Sequence, residues 1–154
     1  MRERVSAVSV AIVIGAASTS PALAQFTGQP LLASFEGDSQ VLAIENGILG
    51  GLAYHGQLQL QPTLWASITS EPLNMSLTPD LSPGRISAVS GGRQFGRWGP
   101  GAAGWNGTAA SYVNLHPAGM NSSEIFAAHS GRQAGYSVYN AQTSKATLWT
   151  GATR

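Results

Sequence analysis

The chain has 154 residues, a formal net charge of +1, only 10% charged side chains and no cysteine. Disulfides and thiolate metal sites are therefore excluded, and a near-neutral chain has no field with which to draw in nucleic acid or anionic lipid. Its polar surface must come from Ser, Thr, Asn, Gln and Gly.

Residues 1–24 have the order of a secretory signal peptide. Arg2 and Arg4 supply a charged start, Val5 to Ala17 an apolar stretch, and Ala22-Leu23-Ala24 a small-x-small cleavage site before Gln25. The apolar run is shorter than the roughly 20 residues a spanning helix needs, so no membrane span is expected after cleavage. The expected product is a single domain, residues 25–154, exported to the periplasm or beyond. Without Arg2, Glu3 and Arg4, acidic and basic side chains are equal in number.

Residues 31–35 read as a strand ahead of the first of three related segments. "ISAVSGGRQFGRW" (Ile86 to Trp98) aligns without a gap on "IFAAHSGRQAGYS" (Ile125 to Ser137), matching Ile86 with Ile125, Ala88 with Ala127, Gly92 with Gly131, Arg93-Gln94 with Arg132-Gln133 and Gly96 with Gly135. A weaker copy, "VLAIENGILGGLA", places Val41, Ala43, Gly47 and Gly51 at the same points. Trp65, Trp105 and Trp149 recur in step, and Leu77 and Pro79 resemble Leu115 and Pro117. Such a period means one supersecondary unit used several times, over approximately residues 41–77, 86–115 and 125–154.

Within a unit the patterns are those of short strands. Ile86, Ala88 and Ser90 alternate with Ser87 and Val89, Gly91-Gly92 suits a two-residue hairpin turn, and Arg93 to Trp98 returns as the second strand. Asn46-Gly47 and Ser130-Gly131 stand at the same place in the other units. A third strand carries the tryptophan, Asn106-Gly107 reads as another hairpin turn, and Ser111 to Leu115 makes a fourth strand. The fold expected is all-β, with four short antiparallel strands in repeats of about 40 to 45 residues, partly propeller-like. The alternative is a β-trefoil. The last unit lacks a fourth strand, which the N-terminal strand could supply as a clasp.

The combination "ATLWTGAT", "YVNLHPAGMNSSEIFAA" and "GRQAGY" resembles the bacterial extracellular repeats of the HAF type. That resemblance implies an exported, propeller-like β-repeat protein without an established activity, and brings no catalytic residues with it.

The stretch "SGGRQFGRW" is neither a Walker loop nor a dinucleotide fingerprint, and its copy drops Phe95, Arg97 and Trp98. It reads as a structural hairpin. His55, His116 and His129 have no metal-site spacing, and His116 and His129 read as turn residues with the imidazole in water. The acids Glu36, Asp38, Glu45, Glu71, Asp80 and Glu124 read as solvated turns and strand ends. Recurring tryptophans suit the packing between units. Trp98 and Trp105 are the candidates for ligand contact, Trp98 because the third unit lacks it. The chain is accordingly read as a non-catalytic scaffold or interaction surface without cofactor. Its expected partners are a protein or glycan surface, or other copies through open repeat edges. The alternative is a carbohydrate-binding module that uses the tryptophans.

Overall fold

The computed structural model describes residues 31, 37–55, 59–77, 82–140 and 143–151. The expected signal peptide and residues 32–35 of the expected clasp lie outside them, as do Glu36 and Asp80. The chain divides into two units, residues 1–31 and 32–154, and every described strand belongs to the second.

The architecture is all-β, in three antiparallel sheets. The first holds β1 (Ser39–Glu45), β2 (Ile48–Tyr54), β3 (Leu60–Trp65) and β4 (Leu73–Asn74) in that order. The second holds β5 (Gly84–Ser90), β6 (Arg93–Trp98), β7 (Gly101–Trp105) and β8 (Val113–Asn114), again in chain order. The third holds β9 (Ser122–His129), β10 (Arg132–Asn140) and β11 (Thr143–Thr150). All three are open rather than closed into a barrel, which removes the trefoil alternative.

The first two strands of each sheet meet through the same turn. Asn46 and Gly47 adopt φ 50° and 81°, Gly91 and Gly92 60° and 76°, Ser130 and Gly131 47° and 75°. Two successive positive φ angles are what a two-residue hairpin needs to match the strand twist. A bulge follows in each hairpin, with Leu42, Ser87 and Phe126 as the extra residues opposite Gly50–Gly51, Phe95–Gly96 and Ala134–Gly135. A Cβ on Gly51, Gly96 or Gly135 would lie 1.8, 2.0 or 1.9 Å from the carbonyl oxygen of Gln40, Arg85 or Glu124. The glycine shared by the three segments is thus required by a backbone approach, not by a ligand.

Asn106-Gly107 departs from expectation. Gly107 has φ 79°, yet no two-residue hairpin forms, and a 3₁₀ turn at Ala109–Ser111 intervenes before β8. The cause is capture of the two amides: Asn106 N–H donates to Ser111 Oγ at 2.7 Å and Gly107 N–H to Gln94 Oε1 at 2.8 Å. The fourth strand is correspondingly short and is closed by an asparagine: Asn74 Oδ1 accepts from Ser76 N–H and Asn114 Oδ1 from His116 N–H, both at 2.9 Å. Asn74 lies opposite Thr63, and Asn114 opposite Ala103. Leu115 therefore takes the place of Met75, not that of Leu77.

The second sheet lies between the other two. On the side facing the first sheet, Ile86, Ala103 and Trp105 pack with Leu64 and Met75, joined by Val89 and Trp98. On the side facing the third, Ala88, Phe95 and Ala102 pack with Ile125, joined by Ala128 and Trp149. Each sheet thus has a leading face, toward the sheet before it, and a trailing face, toward the sheet after it. Burying each large aliphatic or aromatic side chain stabilises the stack by about 1.5–3 kcal/mol. Trp65, Trp105 and Trp149 stand at one register position, opposite Leu49, Gln94 and Gln133, so the recurring indole belongs to the leading face.

Candidate functional site

The turns of the second and third sheets and the end of β1 surround a groove of about 510 Å³. It is lined by Glu45, Ser90, Gly91, Arg93 and Phe95, and by His129, Ser130, Gly131, Gln133 and Gly151. Glu45 ties the first sheet to the second, its carboxylate accepting from Gly92 N–H at 3.2 Å. The glutamine of the repeated Arg-Gln pair gains a physical role in the second sheet. Gln94, 1% exposed, donates to Gly92 O at 2.7 Å and accepts from Gly107 N–H, so its amide locks the hairpin turn to the loop after Trp105. Gln133 holds the same place in the third sheet and is 4% exposed. Among the described residues no such bridge engages it, and it lines the groove instead. "SGGRQFGRW" is therefore both hairpin and groove wall.

A second cavity, of about 230 Å³, is lined by Ser82, Trp98, Gly99, Pro100, Gly101, Tyr112, Asn114 and His116. Trp98 is half-buried and meets Tyr112 edge-on, centroids 5.2 Å apart. Trp105 is 2% exposed and sits in the core beside the same tyrosine. Its indole borders a cleft of only about 10 Å³, so of the two tryptophan candidates Trp98 is the one beside a cavity with room for a ligand.

His116 is not a solvated turn residue. Its Nε2 lies 2.9 Å from Met120 O, so that nitrogen carries the proton and Nδ1, 2.7 Å from Ser123 Oγ, accepts. Ser123 Oγ in turn accepts from Ala102 N–H at 2.9 Å. The serine is fully buried, so it ties β9 both to β7, through Ala102, and to the segment after β8, through His116, and exposes no nucleophile. His55 Nε2 lies 2.9 Å from Thr63 Oγ1, whose hydroxyl donates to Gln61 O. Burial holds the His55 imidazole below its ordinary value of 6.5. His129 is exposed at the groove.

Glu124 also corrects the reading from sequence. It lies in β9, 0% exposed, where the Arg85 guanidinium grips it through Nε and through Nη2 at 2.8 Å, and Ser87 Oγ adds a third donor at 3.2 Å. The carboxylate, chiefly through these hydrogen bonds, raises Arg85 above its ordinary range against the opposing effect of burial. Glu124 joins the second sheet to the third and is not a free acid.

No protein-family model, curated protein or solved structure matches the chain.

Sequence reasoning missed an exposed apolar patch. On the trailing face of the third sheet Leu148 is 61% exposed and the bulge residue Phe126 51%. Phe126 stacks on Tyr136 at 5.4 Å, and Ala127, Ala134 and Ala146 beside them are exposed. The equivalent positions of the second sheet, Ala88, Phe95 and Ala102, are buried under the third. The signal was present in the alignment of Ala127 and Ala134 on Ala88 and Phe95, but only the stacking order shows which sheet goes uncovered.

Proposed function

We propose that the chain is an exported, non-catalytic repeat protein of the HAF type, part of a propeller-like array, that acts as a scaffold by presenting a sheet face to another macromolecule. The exposure of Phe126 and Leu148 on the third sheet, where the second sheet is covered, carries this reading. An apolar patch of aromatic and aliphatic side chains on a sheet face marks an interaction surface. The test is expression of the full chain in a bacterial host with benzoylphenylalanine in place of Leu148. The expected result is a product recovered outside the cytoplasm, with mass starting at Gln25, that cross-links to a macromolecule on irradiation. A chain retained in the cytoplasm, or one whose probe joins nothing, overturns the reading.

A second reading, carbohydrate binding, draws on the Trp98 cavity, where an indole, a phenol and the amide of Asn114 stand together. Aromatic faces beside a few polar groups suit a sugar. Tryptophan fluorescence during titration with a panel of glycans tests it; no response removes it.

A further inference from the structure

We infer that the macromolecule on the trailing face of the third sheet is a second copy of this chain, docked through β1 of its first sheet. This rests on the scaffold reading above and names its partner. The two sheet junctions inside the chain are built alike. At each, the leading face of one sheet, with an aliphatic residue opposite the bulge glycine and another three residues on, seats on the trailing face of the sheet before it. In the second sheet these residues are Ile86 and Val89, and both pack against the first sheet. In the third they are Ile125 and Ala128, packed against the second.

Among the described sheets, one leading face is left, that of the first. There the same two positions are Val41, opposite Gly51, and Ile44, opposite Leu49. Val41 is 41% exposed, Ile44 67% and the bulge residue Leu42 43%. The rest of that face, Leu49, Ala53, Gln61, Thr63 and Trp65, is already buried, so the open part is the strip along β1. One end of the stack thus exposes the aliphatic strip that seats a sheet, and the other exposes the kind of face on which such a strip sits inside the chain. Docking one on the other repeats the edge-strand part of an interface the chain already makes twice; the tryptophan part has no counterpart, because Trp65 is already buried. The contact is heterologous, head to tail, and either closes between two chains or extends.

Sedimentation equilibrium of the mature chain tests this with two blocked variants, Leu148→Asp on the trailing face and Val41→Asp/Ile44→Asp on β1. All three sites are exposed, and unchanged near-ultraviolet circular dichroism checks that the variants fold; Ala134→Lys replaces Leu148→Asp if that variant does not. The expected mass is a dimer or larger for the native chain and a monomer for each variant alone. An equimolar mixture of the two variants is expected to double that mass, because one retains an intact β1 and the other an intact trailing face. A monomeric native chain at every concentration, a β1 variant that still pairs, or a mixture that stays monomeric overturns the inference. If the Leu148 probe then joins a different macromolecule, the scaffold reading stands without it; if it joins only the chain's own N-terminal segment, both fall.

Discussion

Arg85 and Glu124 occupy the same place in consecutive sheets, each directly before the aliphatic residue that faces the bulge glycine, and they close a two-point ion pair across the junction. Their environments differ: the Arg85 side chain is 41% exposed and that of Glu124 is 0% exposed.

That asymmetry predicts unequal costs. Arg85→Ala leaves a buried carboxylate with Ser87 alone and destabilises by about 3–5 kcal/mol. Glu124→Gln keeps the shape and lets the guanidinium turn to water, at about 1–2 kcal/mol. Urea unfolding of both variants measures the difference, and the reverse order contradicts the pairing.

The two kinds of repeated glycine are expected to respond differently to one methyl group. At Gly96 a Cβ would meet Arg85 O at 2.0 Å, which backbone cannot yield, so Gly96→Ala costs more than about 4 kcal/mol. At Gly92 nothing lies within 4 Å, and Gly92→Ala carries only the left-handed strain of about 1–2 kcal/mol. Midpoints of thermal unfolding should separate the two variants widely.

His55 makes stability depend on pH below neutrality. Its imidazole is held below 6.5 by burial, so the unfolded chain takes up the proton first. The contribution is fully present above pH 6.5 and falls away as the pH drops through 6.5 toward the lower folded value. Melting temperatures between pH 7.5 and 5.5 should fall less for His55→Asn than for the native chain; parallel curves would show that His55 does not titrate in this way.

The hairpins were legible because Asn46-Gly47, Gly91-Gly92 and Ser130-Gly131 are local chemistry: positive φ is a property of the turn itself. The same logic failed at Asn106-Gly107, where Gln94 and Ser111 capture the amides. β4 and β8 have little signal of their own because two residues suffice when β3 and β7 supply the ladder. Glu124 was misread because its partner lies 39 residues away and its burial is set by the stacking of sheets. Of the site, the glycines and Gln94 could be read as repeated; that Gln133 lines a groove and Leu148 is exposed depends on how the sheets stack.

Equivalent faces of the second and third sheets are covered and open respectively. Since the chain has no cysteine, single thiols can be placed at two equivalent alanines: Ala88→Cys, at a position 6% exposed, and Ala127→Cys, at one that is exposed. Their rates of reaction with an aromatic disulfide in dilute folded protein are the measurement. Reaction at position 127 is expected to be at least about tenfold faster than at 88, each tenfold corresponding to roughly 1.4 kcal/mol of protection. Equal rates would contradict it.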